Sequence, residues 1–292
     1  MMGWLARRLA AICMAIASIS APAQTLPLWA VVPDVPPLPK PERSGFVIND
    51  GARLYYAVFN RHGGSPVILL HGGFTSSDSW GFEVPRLAAG HEVIVMDARG
   101  HGRSSMPATP LGYDQMASDV VAVLDAVHVR TVSVVGLSDG GIVGLILGFR
   151  HPERVNRLFV WGATYNTHAD RSGPPDPAMK GMGAILMARM QAQYRALSPT
   201  PDGFPALRTK LGALYDKEPN LTPDELGRIK APTVIADGEH EQFIAPEHSA
   251  QLARMIPGAR LVILPNVSHG GPQQDPVGFH KAVVALLDGD GM

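Results

Sequence analysis

Gly136-Leu137-Ser138-Asp139-Gly140 follows directly on an apolar run at 131–135 and leads into a helical pattern from residue 142. This is the strand–turn–helix setting of a G-x-S-x-G nucleophile elbow. Glycine makes up about 7% of average proteins, so the bare pattern arises by chance in about one chain in ten of this length. Its placement carries the weight. A sharp turn leaves no room for side chains beside the serine, and the helix start behind it favours developing negative charge. A serine hydroxyl is a poor nucleophile at neutral pH and needs a base. Of eleven histidines, His269 fits best, because it follows the apolar run 261–264 across a short loop and precedes Gly270 and Gly271. His280 falls inside a helical pattern, and His248 on a helical first turn suits a surface or capping role.

An imidazole acting as base needs an acid to fix its tautomer. Asp237, Glu239 and Glu241 all follow the run at 233–236; Glu241, three residues past the turn at Gly238, is best placed to swing toward His269, with Asp237 the alternative. A tetrahedral intermediate also needs backbone donors. The amide of Asp139 is one expectation, and that of Gly73 or Phe74, in Leu70-His71-Gly72-Gly73-Phe74, is the other. His71 is read as bonding its own loop. The stretch from Asp97 to Ser104 lacks metal-ligand spacing and the Lys-Ser/Thr ending of a phosphate loop, so Asp97 and Arg99 are expected to brace neighbouring loops.

These groups must be held by strands. Runs at 66–70, 92–96, 131–135, 158–161, 233–236 and 261–264 are short, apolar and rich in β-branched residues, as strands buried on both faces are. Helical periodicity at 115–127 and 142–149 alternates with them. The alternation predicts an α/β, doubly wound, mostly parallel sheet, whose reactive groups gather at the carboxyl ends of the strands. Runs at 46–49 and 53–59, joined across Asp50-Gly51, predict an antiparallel hairpin at its edge. Between 162 and 230 the alternation lapses into a helical stretch carrying Met179, Met182, Ile185, Leu186, Met187, Met190 and Tyr194. Met182 and Met187 are candidates for an adaptable apolar wall over the serine, together with Phe74; Trp80 and Tyr165 are weaker ones.

Residues 1–23 have the plan of a secretory signal: Arg7 and Arg8, an apolar run, and the small-residue site Ala21-Pro22-Ala23. The expectation is export to the periplasm or medium, with no stable membrane anchor after cleavage. Cleavage would remove Cys13, the single cysteine, so the mature fold would hold no disulfide. Residues 24–44 carry six prolines and read as an extended leader to a domain over 45–292. A formal net charge of −1 without charge runs argues against nucleic acid as a partner. Oligomeric state has no signature.

The order His71-Gly72-Gly73-Phe74, Asp97 to Ser104, Ser138 in its elbow, Gly238-Glu239-His240-Glu241 and Ser268-His269-Gly270 resembles the α/β-hydrolase superfamily from about residue 45 onward. Within it the chain is similar to the branch of small esterases, enol-lactonases and carbon–carbon bond hydrolases. That resemblance implies a cofactor-free serine hydrolase with a helical lid at about 163–228, acting on a small ester-like molecule through an acyl-enzyme. It equally admits enol-lactone or carbon–carbon cleavage or a perhydrolase, and a receptor that keeps the triad to bind is the reading from another class. The branch commonly has Asp where Glu241 stands, so this chain must reach the histidine with one more methylene.

Overall fold

The computed structural model describes residues 26–169 and 176–289. The expected signal and Cys13 lie outside them.

Eight strands form one sheet: β1 (Arg43–Asn49), β2 (Ala52–Phe59), β3 (Gly64–Leu70), β4 (His91–Met96), β5 (Val132–Leu137), β6 (Val155–Trp161), β7 (Thr233–Gly238) and β8 (Arg260–Leu264). Their order is β1-β2-β4-β3-β5-β6-β7-β8. The hairpin β1–β2 is antiparallel and pairs antiparallel with β4, and the other strands run parallel. Asp50 and Gly51 both have positive φ (43° and 74°), as a two-residue hairpin turn with the right twist requires.

The helices are α1 (Glu83–Leu87), α2 (Tyr113–Ala126), α3 (Asp139–Arg150), α4 (Met182–Leu197), α5 (Phe204–Tyr215), α6 (Pro223–Leu226), α7 (Pro246–Met255), α8 (Gly271–Gln274) and α9 (Pro276–Leu287). Strand alternation divides the core in two. Ile68, Ile94, Val134, Leu158 and Ile235 pack toward α2, α3 and α7. Their neighbours Val67, Val93, Val135, Phe159 and Val234 pack on the opposite face toward α1 and α9. Such side chains contribute about 1.5–3 kcal/mol each when fully buried, so the parallel strands are held from both sides.

Both helices read from periodicity are present, α2 and α3, each starting two or three residues earlier than the pattern shows. Between β6 and β7 lie α4, α5 and α6, with Met179 in a 3₁₀ turn before α4. The leader is more than an extended approach. It holds a 3₁₀ turn at Leu28–Ala30, and its last residues, from Arg43, already pair in β1.

Candidate active site

Ser138 sits between the end of β5 and the start of α3, with φ 54° and ψ −117°. A non-glycine residue there is strained by about 1–3 kcal/mol, which the surrounding structure must offset. It does so with hydrogen bonds: Ser138 N donates to Trp161 O at 2.8 Å, and Ser138 O accepts from Gly141 N at 2.8 Å and Ile142 N at 3.0 Å. A Cβ at Gly136 would collide with the carbonyl of Gly140, and one at Gly140 with the carbonyl of Leu70. The flanking glycines are therefore required by close backbone approach.

His269 lies in the loop after β8. Its Nδ1 is 2.7 Å from Glu241 Oε2, its backbone N–H donates to Gln242 Oε1 at 3.0 Å, and its carbonyl accepts from Trp161 Nε1 at 2.9 Å. A carboxylate only accepts, so Nδ1 carries the hydrogen and Nε2 is left able to take a proton. Of the three candidate acids, Glu241 is the one on the ring. Asp237 accepts from Ser249 Oγ at 2.7 Å and from Gly238 N at 3.0 Å, and Glu239 accepts from Asn266 N at 2.9 Å.

Burial alone would raise Glu241, which is only 3% exposed. The charge and hydrogen bond of His269, a hydrogen bond with Asp237 and the Phe243 amide at 2.8 Å instead bring it to about 2. Asp237 moves the other way: burial, then the adjacent Glu241 charge, raise it well above the usual carboxylate range. The two neighbouring carboxyls are thus pushed in opposite directions, Asp237 toward its neutral form and Glu241 toward its charged one. Burial opposes a charged His269, yet the charge and hydrogen bond of Glu241, with the charges of Asp237 and Asp139, raise it above its ordinary value.

Asp139 is 8% exposed, and its carboxylate is clasped by two phenols: Tyr113 Oη donates to Oδ1 and Tyr215 Oη to Oδ2, each at 2.9 Å. Burial raises its pKa and the two hydrogen bonds oppose this. Tyr113 comes from α2 and Tyr215 from α5, so the clasp ties the segment between β6 and β7 to the residue after Ser138. No sequence motif marks either tyrosine. Among the described residues, no protein acceptor takes the backbone N–H of Gly73, Phe74 or Asp139.

Ser138, Asp139, Gly73, Phe74 and His269 all open onto one cavity of about 750 Å³. Met182, Leu186, Met187 and Met190 of α4 form one wall, and Phe243 and Ile244 another. Phe74, Met182 and Met187 thus line the cavity onto which Ser138 opens. Trp80 does not: it is buried against Phe279 beneath the sheet, 6.1 Å between ring centroids. Tyr165 stacks on His248 at 4.1 Å and its amide donates to His248 Nε2 at 3.0 Å. His248 is therefore a buried packing partner, not the surface or capping residue its helical position suggested.

His71 bonds its own loop, through Nδ1 to Gly72 O at 2.8 Å, and its Nε2 accepts from Ala98 N at 3.0 Å. Asp97 accepts from Ser77 N and Arg103 N, while Arg99, 0% exposed, makes a two-point ion pair with Asp119. Asp97 braces neighbouring loops, as expected, whereas Arg99 ties its own loop to α2. Gly162 is a contact that sequence reading missed: its φ is +57°, and a Cβ there would lie 2.7 Å from Cε1 of His269.

A family model described as the alpha/beta hydrolase family matches residues 67–282. The rhodomycin D methylesterase of Streptomyces peucetius is 30% identical over 288 residues, covering 82% of this chain and 95% of its own. The 2-hydroxymuconate semialdehyde hydrolase of Pseudomonas sp. strain CF600 is 32% identical over 186 residues, covering 62% of this chain and 58% of its own. Among solved structures, the enol-lactonase of Burkholderia xenovorans LB400 superposes with a TM-score of 0.65 at 25% identity, covering 84% of this chain and all (100%) of its own.

Proposed function

From the premise that the chain belongs to the alpha/beta hydrolase family, we propose that it is a serine hydrolase cleaving a carboxylic ester, or a similarly activated carbonyl, through an acyl-enzyme on Ser138. The observation that carries this reading is the Glu241–His269 contact of 2.7 Å on a cavity that the strained Ser138 also lines.

His269 Nε2 takes the hydroxyl proton of Ser138 as Oγ adds to the carbonyl carbon. The oxygen of the tetrahedral intermediate sits against the amides of Asp139 and Gly73, with Phe74 as the neighbouring donor. Glu241 holds the Nδ1–H tautomer and stabilises the imidazolium. The imidazolium then returns the proton to the departing alcohol. Water, deprotonated by the same Nε2, releases the acid and restores Ser138. In this reading α4 to α6 act as a lid whose methionines adapt to the apolar part of the substrate, and the domain over 45–292 works after export and loss of residues 1–23.

The test is turnover of p-nitrophenyl butyrate by the protein and by Ser138→Ala, with fluorophosphonate labelling read by peptide mass. Loss of turnover by at least about 10³-fold and labelling at Ser138 alone are expected. A Ser138→Ala protein with full esterase activity refutes the assignment. Labelling without multiple turnover moves the reading to a receptor.

A further inference from the structure

The segment before β1 precedes the region that the family model matches, yet it builds part of the cavity. Val31, Val32, Pro33, Asp34 and Val35 line it in succession, alongside the methionines of α4. The segment is fastened at three places. The indole of Trp29 stacks on the imidazole of His240, ring centroids 3.7 Å apart and planes 8° apart, beside Glu241 in sequence. Gln274 Nε2 donates to the carbonyls of Trp29 at 3.0 Å and Val31 at 2.9 Å, while its Oε1 accepts from Ser268 N at 2.8 Å, the residue before His269. On the lid side, Arg189 Nη1 donates to Val32 O at 2.8 Å and Pro33 O at 3.0 Å, Arg189 Nη2 pairs with Asp34 at 3.1 Å, and Ala30 packs with Met179 and Met182.

Prolines suit this use. A chain with fixed φ and few free N–H groups can lie in an extended path without sheet partners, and it gives up little entropy when fastened. The fastening atoms are mostly backbone carbonyls, and Val31, Val32 and Val35 line the cavity, Val32 also packing with Ala30 and Met182.

We propose that residues 29–35 are a specificity-determining wall of the substrate site, which limits how long an apolar acyl chain the cavity admits. The inference rests on the ester-hydrolase reading for the identity of the substrate and stands on the geometry for the wall itself. The wall touches neither Ser138 nor the ring of His269 by any hydrogen bond, so thinning it changes which substrates fit and leaves the chemistry in place.

The experiment compares Val31→Ala/Val32→Ala with the unaltered protein on p-nitrophenyl butyrate and p-nitrophenyl dodecanoate. Arg189→Ala, which unties the wall from α4, is the second variant should the first fold poorly. Each methylene newly accommodated is worth about fourfold. A rise of tenfold or more in the dodecanoate-to-butyrate ratio of kcat/KM is expected, with butyrate kcat within threefold. Calorimetric binding of hexan-2-one and decan-2-one to the same variants reads the cavity without turnover, and the same rise in the decan-2-one preference is expected. If ester turnover is absent but the ketone preference shifts, the hydrolase reading fails and the wall stands. A ketone preference within twofold of the unaltered protein overturns the proposal.

Discussion

Replacing Gly162 by alanine tests the placement of the proposed base directly. Gly162 directly follows β6; its N–H donates to Ala236 O at 3.0 Å and its φ of +57° turns the chain beside His269. An added Cβ lies 2.7 Å from Cε1 and 2.8 Å from Nδ1, whereas ordinary contact begins at 3.4 Å. The ring must therefore retreat by about 0.6–0.7 Å from the position in which it now meets Glu241. Misplacement of a reacting group by about 1 Å costs on the order of 10²-fold in rate, so kcat is expected to fall by about 10- to 100-fold. Holding alanine at this φ also costs about 1–2 kcal/mol of stability. Gly258→Ala separates the two effects, because Gly258 has φ +72° with nothing within 4 Å of a Cβ. It should lose similar stability and keep full activity. The assay is kcat and KM on p-nitrophenyl butyrate, with the rate of fluorophosphonate labelling and thermal midpoints for both variants. Gly162→Ala with kcat within threefold of the unaltered protein, while folded, refutes the argument.

Glu241→Gln removes the main charge that raises His269, so the pKa of the ring falls and the acid limb of kcat/KM should move to lower pH, with kcat down by about 10⁴-fold; a pH–rate profile reads both. Asp119→Ala strands the buried Arg99 and should cost about 3–5 kcal/mol by urea unfolding, while Asp119→Leu with Arg99→Met recovers most of it. Burial lowers His248 to about 4, and burial followed by the His71 charge lowers His101 to about 3. Unfolded imidazoles take protons near 6.5, so the unfolded chain binds more protons below that pH, and stability is lost as pH falls from about 6.5 to 4 for His248 and to 3 for His101. His248→Gln should lose less than the unaltered protein between pH 7 and pH 5 in urea midpoints.

The strands were legible because burial on both faces leaves a plain apolar signature: 233–236 and 261–264 lie within β7 and β8, short by one or two residues. Ser138 and His269 were legible because glycines crowd them for steric reasons. The order β2-β4-β3 was not, since nothing in a strand's own residues says which neighbour it pairs with. Tyr113 and Tyr215 carry no mark either, being far apart in sequence and joined only through Asp139. Gly162 escaped notice because a lone glycine at a strand end reads as a turn. The prolines at 27–41 excluded α-helix and inner strand, but a path with few internal hydrogen bonds says nothing about what it leans on.

The fastening of Trp29 to Gln274 spans 245 residues, and that of Val31 spans 243. At about 5–20 residues per second of synthesis, Trp29 leaves the ribosome about 12–50 s before its partner exists. The hairpin, the first β–α units and the contacts with Arg189 and Met182 can form meanwhile, but the carbonyls of Trp29 and Val31 still lack their donor. Closing so long a loop comes late because its entropy is spent before its contacts repay it. The elbow can therefore take shape on a growing chain, whereas the room in which a substrate would sit is finished only with the last tenth of the molecule.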